Sequence, residues 1–221
     1  MSGLRCCAMS AIVRPRAVLF DLDGTLIDSR RDIAAACNET LREYGRPPLD
    51  ADAIVTMIGD GAKTLVARIF GVPEDDPMIP ESVKVFRRFY KDKPCVHTVL
   101  LPGAREVLAC DMRRALVTNK PREITLLVLE ALGVAGAFEA VWAADGPLKP
   151  APDGVLAALA ALHIHPREAW FVGDGPQDVR AAKAAGVFTV LVPGIGRQEE
   201  ARAAGPDLWL PDLFGLLPYL K

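Results

Sequence analysis

The sequence lacks an excess of charge of either sign. Its 221 residues carry 26 Lys and Arg against 28 Asp and Glu, which gives a formal net charge of −2. A nucleic-acid surface needs concentrated positive charge, and a disordered solvating tail needs a run of like charges. Neither pattern is present, so we expect a small-molecule partner and no nucleic acid.

Long apolar runs are also missing. No stretch approaches about 18 residues, the minimum for a membrane-spanning helix, and residues 1–17 contain too little uninterrupted apolar sequence for a signal peptide. We therefore expect a cytoplasmic protein with no membrane partner. Residues 1–16 precede the first strand pattern and are predicted to form an N-terminal extension, of which residues 1–8 are poorly ordered.

The cysteines show no pairing pattern. They are five in number, and none has the spacing of a zinc finger or of a Cys-x-x-Cys redox motif. We predict free thiols in a reducing compartment. The five are Cys6, Cys7, Cys37, Cys95 and Cys110.

Five short apolar runs recur, and each ends in a polar or glycine residue. They lead into Asp21, Thr118, residues 143–145, residues 173–174 and residues 193–194. Uninterrupted apolar runs of this length are typical of strands that are buried on both faces. Each run therefore predicts a strand of a parallel sheet.

Helical periodicity fills the intervals between the later runs, at residues 122–132, 153–162 and 178–185. Alternating strands and helices predict an α/β protein with a Rossmann-like, doubly wound parallel sheet. In such sheets, ligands bind beyond the carboxyl ends of the strands. The polar residues that end the apolar runs are therefore the candidates for a site.

Residues 29–99 interrupt this alternation. They contain four helical patterns without a strand, separated by Gly- and Pro-rich turns, at residues 31–44, 51–57, 62–70 and 81–92. We predict a helical cap domain at 29–99, inserted into a core domain that comprises 17–28 and 100–221. The cap would lie over the carboxyl end of the first strand and act as a lid.

The strongest chemical signal is Asp21-Leu22-Asp23-Gly24-Thr25-Leu26, directly after the first strand. Two carboxylates this close at a strand end repel each other unless they share a cation or a proton. A turn in which Asp caps a following helix is the alternative. That alternative accounts for one Asp but not for two.

The hexapeptide resembles the Asp-x-Asp-x-Thr motif of the haloacid dehalogenase superfamily. The resemblance implies that Asp21 is a nucleophile and that Asp23 is a general acid and base. The implied chemistry is consistent with the residue types. A carboxylate nucleophile divides phosphate-ester hydrolysis into two steps through an aspartyl phosphate. A second carboxyl group protonates the leaving group and then deprotonates the attacking water.

Two further motifs of the superfamily follow in order. Thr118-Asn119-Lys120 ends the second strand, and the resemblance implies that the Thr118 hydroxyl and the neighbouring backbone N–H groups, with Asn119, bind phosphate. Lys149 lies in a Pro-rich loop and is implied to neutralise charge on the nucleophile and the phosphate. The alternatives are helix capping by Thr118 or Asn119 and a solvated surface role for Lys149.

The acidic motif Gly173-Asp174-Gly175-Pro176-Gln177-Asp178 completes the set. The resemblance implies a Mg²⁺ site formed by the Asp21 carboxylate, the Asp23 backbone carbonyl and Asp174, since hard cations prefer oxygen ligands. Asp178 either ligates the metal, directly or through a neighbouring group, or caps the next helix. Gly175 occupies a position at which a serine is common in the superfamily.

The position of the insertion matches the helical-cap subclass of the superfamily, and the chain is most similar there to the phosphoglycolate phosphatases. The similarity rests on residues 21–29, 58–62, 101–104, 117–120 and 205–208. It implies Mg²⁺-dependent hydrolysis of a small phosphorylated metabolite, 2-phosphoglycolate. The alternatives are a phosphosugar mutase of the same superfamily and a non-catalytic binding scaffold. The sequence does not indicate an oligomeric state.

Overall fold

The computed structural model describes residues 13–144, 146–194 and 197–220. Most of the predicted extension at 1–16 lies outside these ranges, including residues 1–8, for which we predict poor order. So do Cys6, Cys7 and Asp145. None of the helices in the described ranges has the length and apolarity that crossing a membrane requires.

The strands form a six-stranded parallel sheet and a separate short pair. In chain order they are β1 (Ala17–Phe20), β2 (Ile27–Asp28), β3 (Val99–Leu100), β4 (Arg113–Thr118), β5 (Ala140–Ala143), β6 (Ala169–Gly173), β7 (Phe188–Leu191) and β8 (Leu208–Trp209). The sheet has the order β5-β4-β1-β6-β7-β8, and all neighbouring pairs are parallel. The predicted doubly wound α/β fold is thus confirmed, with β1 near the centre.

Helices connect the strands. They are α1 (Arg30–Glu43), α2 (Ala51–Val55), α3 (Ala62–Phe70), α4 (Ile79–Asp92), α5 (Ala104–Leu108), α6 (Arg122–Ala131), α7 (Asp153–Ala161), α8 (Pro176–Ala184), α9 (Gln198–Ala203) and α10 (Leu217–Leu220). α4 begins two residues before its predicted start, because a proline in the first turn does not remove a helical hydrogen bond.

Both faces of the sheet are buried. Along β1, Val18 and Phe20 pack in one apolar cluster with residues of α5 and α6, whereas Ala17 and Leu19 pack in a second cluster with residues of α7 and α8. Successive side chains of a strand point to opposite faces, so two buried faces require an unbroken apolar strand. This arrangement explains the continuous apolar runs in the sequence.

Helices α1–α4 lie between β2 and β3 in the chain and pack on one another. Their buried side chains join the same apolar cluster as Val18 and Phe20, so apolar packing is continuous from the sheet into these helices. The assignment of residues 29–99 to a separate cap domain remains a prediction.

The chain leaves and re-enters the sheet region through the antiparallel pair β2–β3. Beside this pair, the buried carboxylate of Asp32 accepts hydrogen bonds from the backbone N–H groups of Val96 (3.0 Å), His97 (2.9 Å) and Thr98 (2.8 Å) and from the Thr98 hydroxyl (2.7 Å). These bonds satisfy N–H groups that would otherwise lack a partner. They fix the returning segment to α1.

Candidate active site

The first strand delivers two carboxylates to the carboxyl edge of the sheet. The Asp21 N–H donates to the Val172 carbonyl (3.0 Å), which continues the pairing of β1 with β6. Leu22 is fully buried, and the chain then turns at Gly24, whose φ of 88° favours glycine. Asp21 is buried, and Asp23 is half-buried at the same cavity.

Asn119, at the end of β4, connects three parts of the site. Its side-chain N–H group donates to the carbonyls of Lys149 (3.0 Å) and Gly59 (3.1 Å), and its oxygen accepts from the Lys149 N–H (2.8 Å). The Thr118 hydroxyl beside it accepts from the Lys120 N–H (3.2 Å). The Asn119 side chain therefore holds the Lys149 loop and the turn between α2 and α3.

Lys149 is a buried cation between two carboxylates. Its Nζ lies 2.6 Å from Asp21 Oδ1 and 2.7 Å from Asp178 Oδ1. Burial lowers the pKa of Lys149, but Asp178 and Asp21 raise it by more than burial lowers it. The net pKa therefore lies above its ordinary value. The alternative of a solvated surface lysine is wrong.

Asp178 also organises the loop that carries Asp174. Its Oδ2 accepts from the backbone N–H groups of Asp174 (3.2 Å) and Gly175 (2.9 Å) at the start of α8. Asp174 in turn accepts a hydrogen bond from the Thr25 hydroxyl (3.1 Å). Asp178 is the third residue of α8 and not its N-cap, which is Gly175, but its side chain binds the N–H groups at the start of that helix and pairs with Lys149.

Three of these carboxylates form a group that fits a divalent cation. One oxygen from each of Asp21, Asp174 and Asp178 lies within 4.8 Å of the other two, and all three residues are buried. The ammonium of Lys149 contacts two of them, Asp21 and Asp178. Oxygen donors of this kind suit a hard cation such as Mg²⁺ or Mn²⁺.

Burial has the largest effect on the electrostatics of Asp21. The pKa of Asp21 is raised from the ordinary 3.8 to about 7, mainly because the carboxyl group is buried; Lys149 lowers the pKa, and Asp178 and Asp23 raise it. A buried carboxyl group in this environment binds either a proton or a cation.

Lys120 is a second buried cation, for which sequence reasoning found no role. Its Nζ donates to Asp23 Oδ1 (2.9 Å) and to the hydroxyl of Tyr90 on α4, and it lies 4.4 Å from the centre of the Tyr90 ring. Ser29 Oγ donates to the same Asp23 oxygen (2.5 Å). The adjacency of Lys120 to Thr118-Asn119 was the available signal, whereas Tyr90 resembled an ordinary core residue of an amphipathic helix.

A cavity separates this edge of the sheet from α1–α4. On the sheet side it is lined by Asp21, Asp23, Thr118, Asn119 and Lys120. On the other side it is lined mainly by apolar side chains, which are Ile33, Ile58, Ala62, Leu65 and Phe86, together with Tyr90. The predicted catalytic and phosphate-binding residues thus meet around one cavity, and Lys149 contacts its floor at Asp21.

Ion pairs join the turn between α2 and α3 to the segment just before α9. Arg197, just before α9, lies 2.8 Å from Asp60 Oδ1, and Arg68 of α3 lies 2.7 Å from Asp60 Oδ2. Partial burial raises the pKa of Asp60, but the two guanidinium groups lower it below its ordinary value. Gly59 and Gly61 flank Asp60 with φ of 118° and 92°, which supports the interpretation of this loop as a tight turn.

Known proteins are similar to this chain in both sequence and fold. The model of the haloacid dehalogenase-like hydrolases matches residues 18–192. A phosphoglycolate phosphatase of Pseudomonas putida is 37% identical over 218 residues, covering 92% of this chain and 79% of that protein. One from Aquifex aeolicus is 37% identical over 182 residues, covering 80% and 84%. A solved structure from Haemophilus somnus, described as a predicted phosphoglycolate phosphatase, has a TM-score of 0.84 at 25% identity and covers 95% of this chain and 100% of that one.

These similarities extend over most of the chain, and the family match includes the inserted helices as well as most of the sheet. The family match spans Asp21, Thr118, Lys149 and Asp174 with their neighbours. The chain therefore belongs to the haloacid dehalogenase-like hydrolases and is a phosphoric monoester hydrolase of that family.

Proposed function

We propose that this protein is a Mg²⁺-dependent phosphatase that hydrolyses 2-phosphoglycolate through an aspartyl phosphate on Asp21. The observation that carries the proposal is the position of Asp21. It lies 2.6 Å from the Lys149 ammonium, within the carboxylate group that fits a divalent cation, and at the same cavity as Asp23. The names of the relatives support the choice of 2-phosphoglycolate.

In the first half of the reaction, an Asp21 oxygen forms a bond to phosphorus, and the bond between phosphorus and the ester oxygen breaks. Asp23 gives its proton to the departing oxygen, which leaves as an alcohol. Lys149 and the N–H groups that follow Thr118 stabilise the charge on the phosphate oxygens. The product on the protein is the aspartyl phosphate.

In the second half, a water oxygen forms a bond to phosphorus while Asp23 takes the water proton. The bond between phosphorus and the Asp21 oxygen breaks, which releases phosphate and restores the carboxylate. Asp23 is again protonated and ready for the next substrate. One carboxyl group can serve both steps because the proton that it gives to the leaving group is replaced by a proton from the attacking water.

Asp21, Asp174 and the backbone carbonyl of Asp23 would hold Mg²⁺. When bound, the cation neutralises charge on the phosphate and on Asp21. We assign Asp178 to positioning, because its oxygens already accept from Lys149 and from two backbone N–H groups. It then acts on the site by holding Lys149 and the Asp174 loop in place.

We propose further that residues 29–99 act as the cap that excludes water from this chemistry. The Asp60–Arg197 ion pair and the Asn119–Gly59 hydrogen bond support this role, because both join the α2–α3 turn to the sheet side of the cavity. A closed cap strengthens electrostatic interactions in the site. The apolar side of the cavity offers few partners for sugar hydroxyls, so no observation favours the phosphosugar mutase alternative.

The test is phosphate release from 2-phosphoglycolate with Mg²⁺, with EDTA, and by Asp21→Asn. We expect EDTA to abolish turnover and Asp21→Asn to lower kcat/KM by at least about 1,000-fold, because the amide is a poor nucleophile. Asp28→Asn is the matched control, since Asp28 follows the same turn but pairs with Arg30. Full activity of Asp21→Asn with Mg²⁺ would contradict the mechanism.

A further inference from the structure

The contact between Lys120 and Tyr90 places two hydrogen-bond donors together at the cavity. An ammonium has three N–H donors, and the described partners of Lys120, Asp23 and Tyr90, use two of them. Tyr90 accepts from Lys120, so its own O–H remains a donor, and burial raises the pKa of Tyr90, so the phenol keeps that proton. Both residues line the cavity.

The surroundings make this pair distinctive. Among the described residues that line the cavity, Lys120 is the only cation, and the nearby wall from α1, α3 and α4 presents Ile33, Leu65 and Phe86. Arg197 lines a smaller neighbouring cavity instead and is paired with Asp60. An anionic group that enters the larger cavity therefore finds its charged partner at Lys120.

The position of Lys120 also limits the length of a substrate. Its Nζ is 2.9 Å from Asp23 Oδ1, and Asp23 is the group that we assign to the ester oxygen. An anion bound at Lys120 therefore lies beside that ester oxygen. In a 2-phospho-hydroxy acid, a single carbon separates the ester oxygen from the carboxylate. Such a substrate therefore places its second anionic group close enough to the ester oxygen to reach Lys120.

We propose that Lys120 and Tyr90 bind the carboxylate of the substrate and thereby select short phosphorylated hydroxy acids over phosphate esters that lack a carboxylate. The inference rests on the proposed phosphatase function and deepens it. The ammonium and the phenol supply one donor to each carboxylate oxygen, and charge-assisted bonds of this kind are the stronger hydrogen bonds of proteins. Because Tyr90 lies on α4 and Lys120 on the sheet side, the bound carboxylate would also join the two walls.

The experiment compares kcat/KM for 2-phosphoglycolate with that for 2-hydroxyethyl phosphate, in which a neutral CH₂OH replaces the carboxylate. We expect the protein to prefer the carboxylate ester by about 100-fold, because a buried charged group left without its partner is costly. Lys120→Met should reduce this preference to about threefold or less. Tyr90→Phe, which keeps the ring, should reduce it by about tenfold.

Lys63→Met is the matched control, because Lys63 is an exposed cation of α3. It should leave the preference unchanged. A merely structural role of Lys120 would lower kcat/KM for both esters equally, so an unchanged preference in Lys120→Met would overturn the inference. If Lys120→Met does not fold, Tyr90→Phe and the preference of the unmodified protein still decide the question.

The outcomes separate the two proposals. Equal hydrolysis of both esters by the unmodified protein would overturn carboxylate selection and leave the phosphatase proposal standing. Hydrolysis of neither ester, by protein that is folded and supplied with Mg²⁺, would overturn both.

Discussion

The sheet wall of the cavity consists mainly of charged and polar groups, whereas the wall from α1–α4 consists mainly of apolar ones. On the sheet wall, Lys149 and Asp178 hold each other and Asp21 in fixed positions. On the helical wall, Tyr90 is the side chain that reaches across to a charged partner, Lys120. Under the two proposals, the sheet wall carries the reaction, and the substrate is selected where Lys120 of the sheet wall meets Tyr90 of the helical wall.

Among the tests of this comparison, we expect the largest effect from a substitution of Asp23. Asp23→Asn removes the acid that protonates the leaving group, so we expect a loss of about 1,000-fold in kcat for 2-phosphoglycolate. With p-nitrophenyl phosphate, whose leaving group needs no proton, the loss of phosphoryl transfer should be much smaller. Burst kinetics would measure the first step separately. Equal losses of the first step for both esters would contradict the assignment of Asp23 as the acid.

The next effect concerns pH and the metal. The pKa of Asp21 is about 7 in the folded protein and 3.8 ordinarily. In the absence of metal, Asp21 therefore contributes most to the stability of the fold when the pH is below 3.8. That contribution is lost as the pH rises through about 7. A divalent cation competes with the same proton, so Mg²⁺ affinity should rise by about tenfold per pH unit below this pKa and then level off.

Calorimetric Mg²⁺ titrations across this pH range would measure the effect, with proton release obtained from buffers of different ionisation enthalpy. Asp21→Asn should bind Mg²⁺ more weakly and lose this pH dependence, whereas Asp28→Asn should retain it. A pH-independent Mg²⁺ affinity in the unmodified protein would count against a metal site at Asp21.

The smallest effect is expected on the helical wall. Asp60→Asn removes the ion pairs with Arg197 and Arg68, which are partly exposed and therefore contribute little individually. We expect KM to rise by about threefold with little change in kcat, and the salt dependence of KM to weaken. Glu74→Gln is the control, since Glu74 pairs with Lys63 on the exposed side of α3. A large fall in kcat would instead indicate that Asp60 takes part in the reaction, which we assign to the groups of the sheet wall.

The sequence predicted the larger elements and the short helix α2, and it missed other short elements. The apolar strands and the helices of nine or more residues have enough periodicity to be recognised. The two-residue strands β2, β3 and β8 and the short helices α5 and α9 do not. Their formation depends on neighbours that are distant in the chain, such as the Leu100 partner of Ile27.

The candidate site shows a similar division. Asp21, Asp23, Thr118, Lys149 and Asp174 were identifiable because each directly follows a strand or lies in a loop with its own local motif. The use of the Asn119 side chain to hold Lys149 and Gly59 was not predictable, because both partners lie in other segments. Tyr90 was not predictable for the same reason, since Lys120 is 30 residues away along the chain.

By itself, the sequence determined the fold class and located candidate site residues at the ends of apolar strands and in the loops that follow them. Local patterns suffice for this because a strand buried on both faces must be apolar throughout and can carry polar groups only at its end. Only the tertiary structure decided which charges neutralise each other and that Lys120 meets Tyr90. Such pairings depend on distances of a few ångströms between segments that become neighbours only when the sheet and the helices pack together.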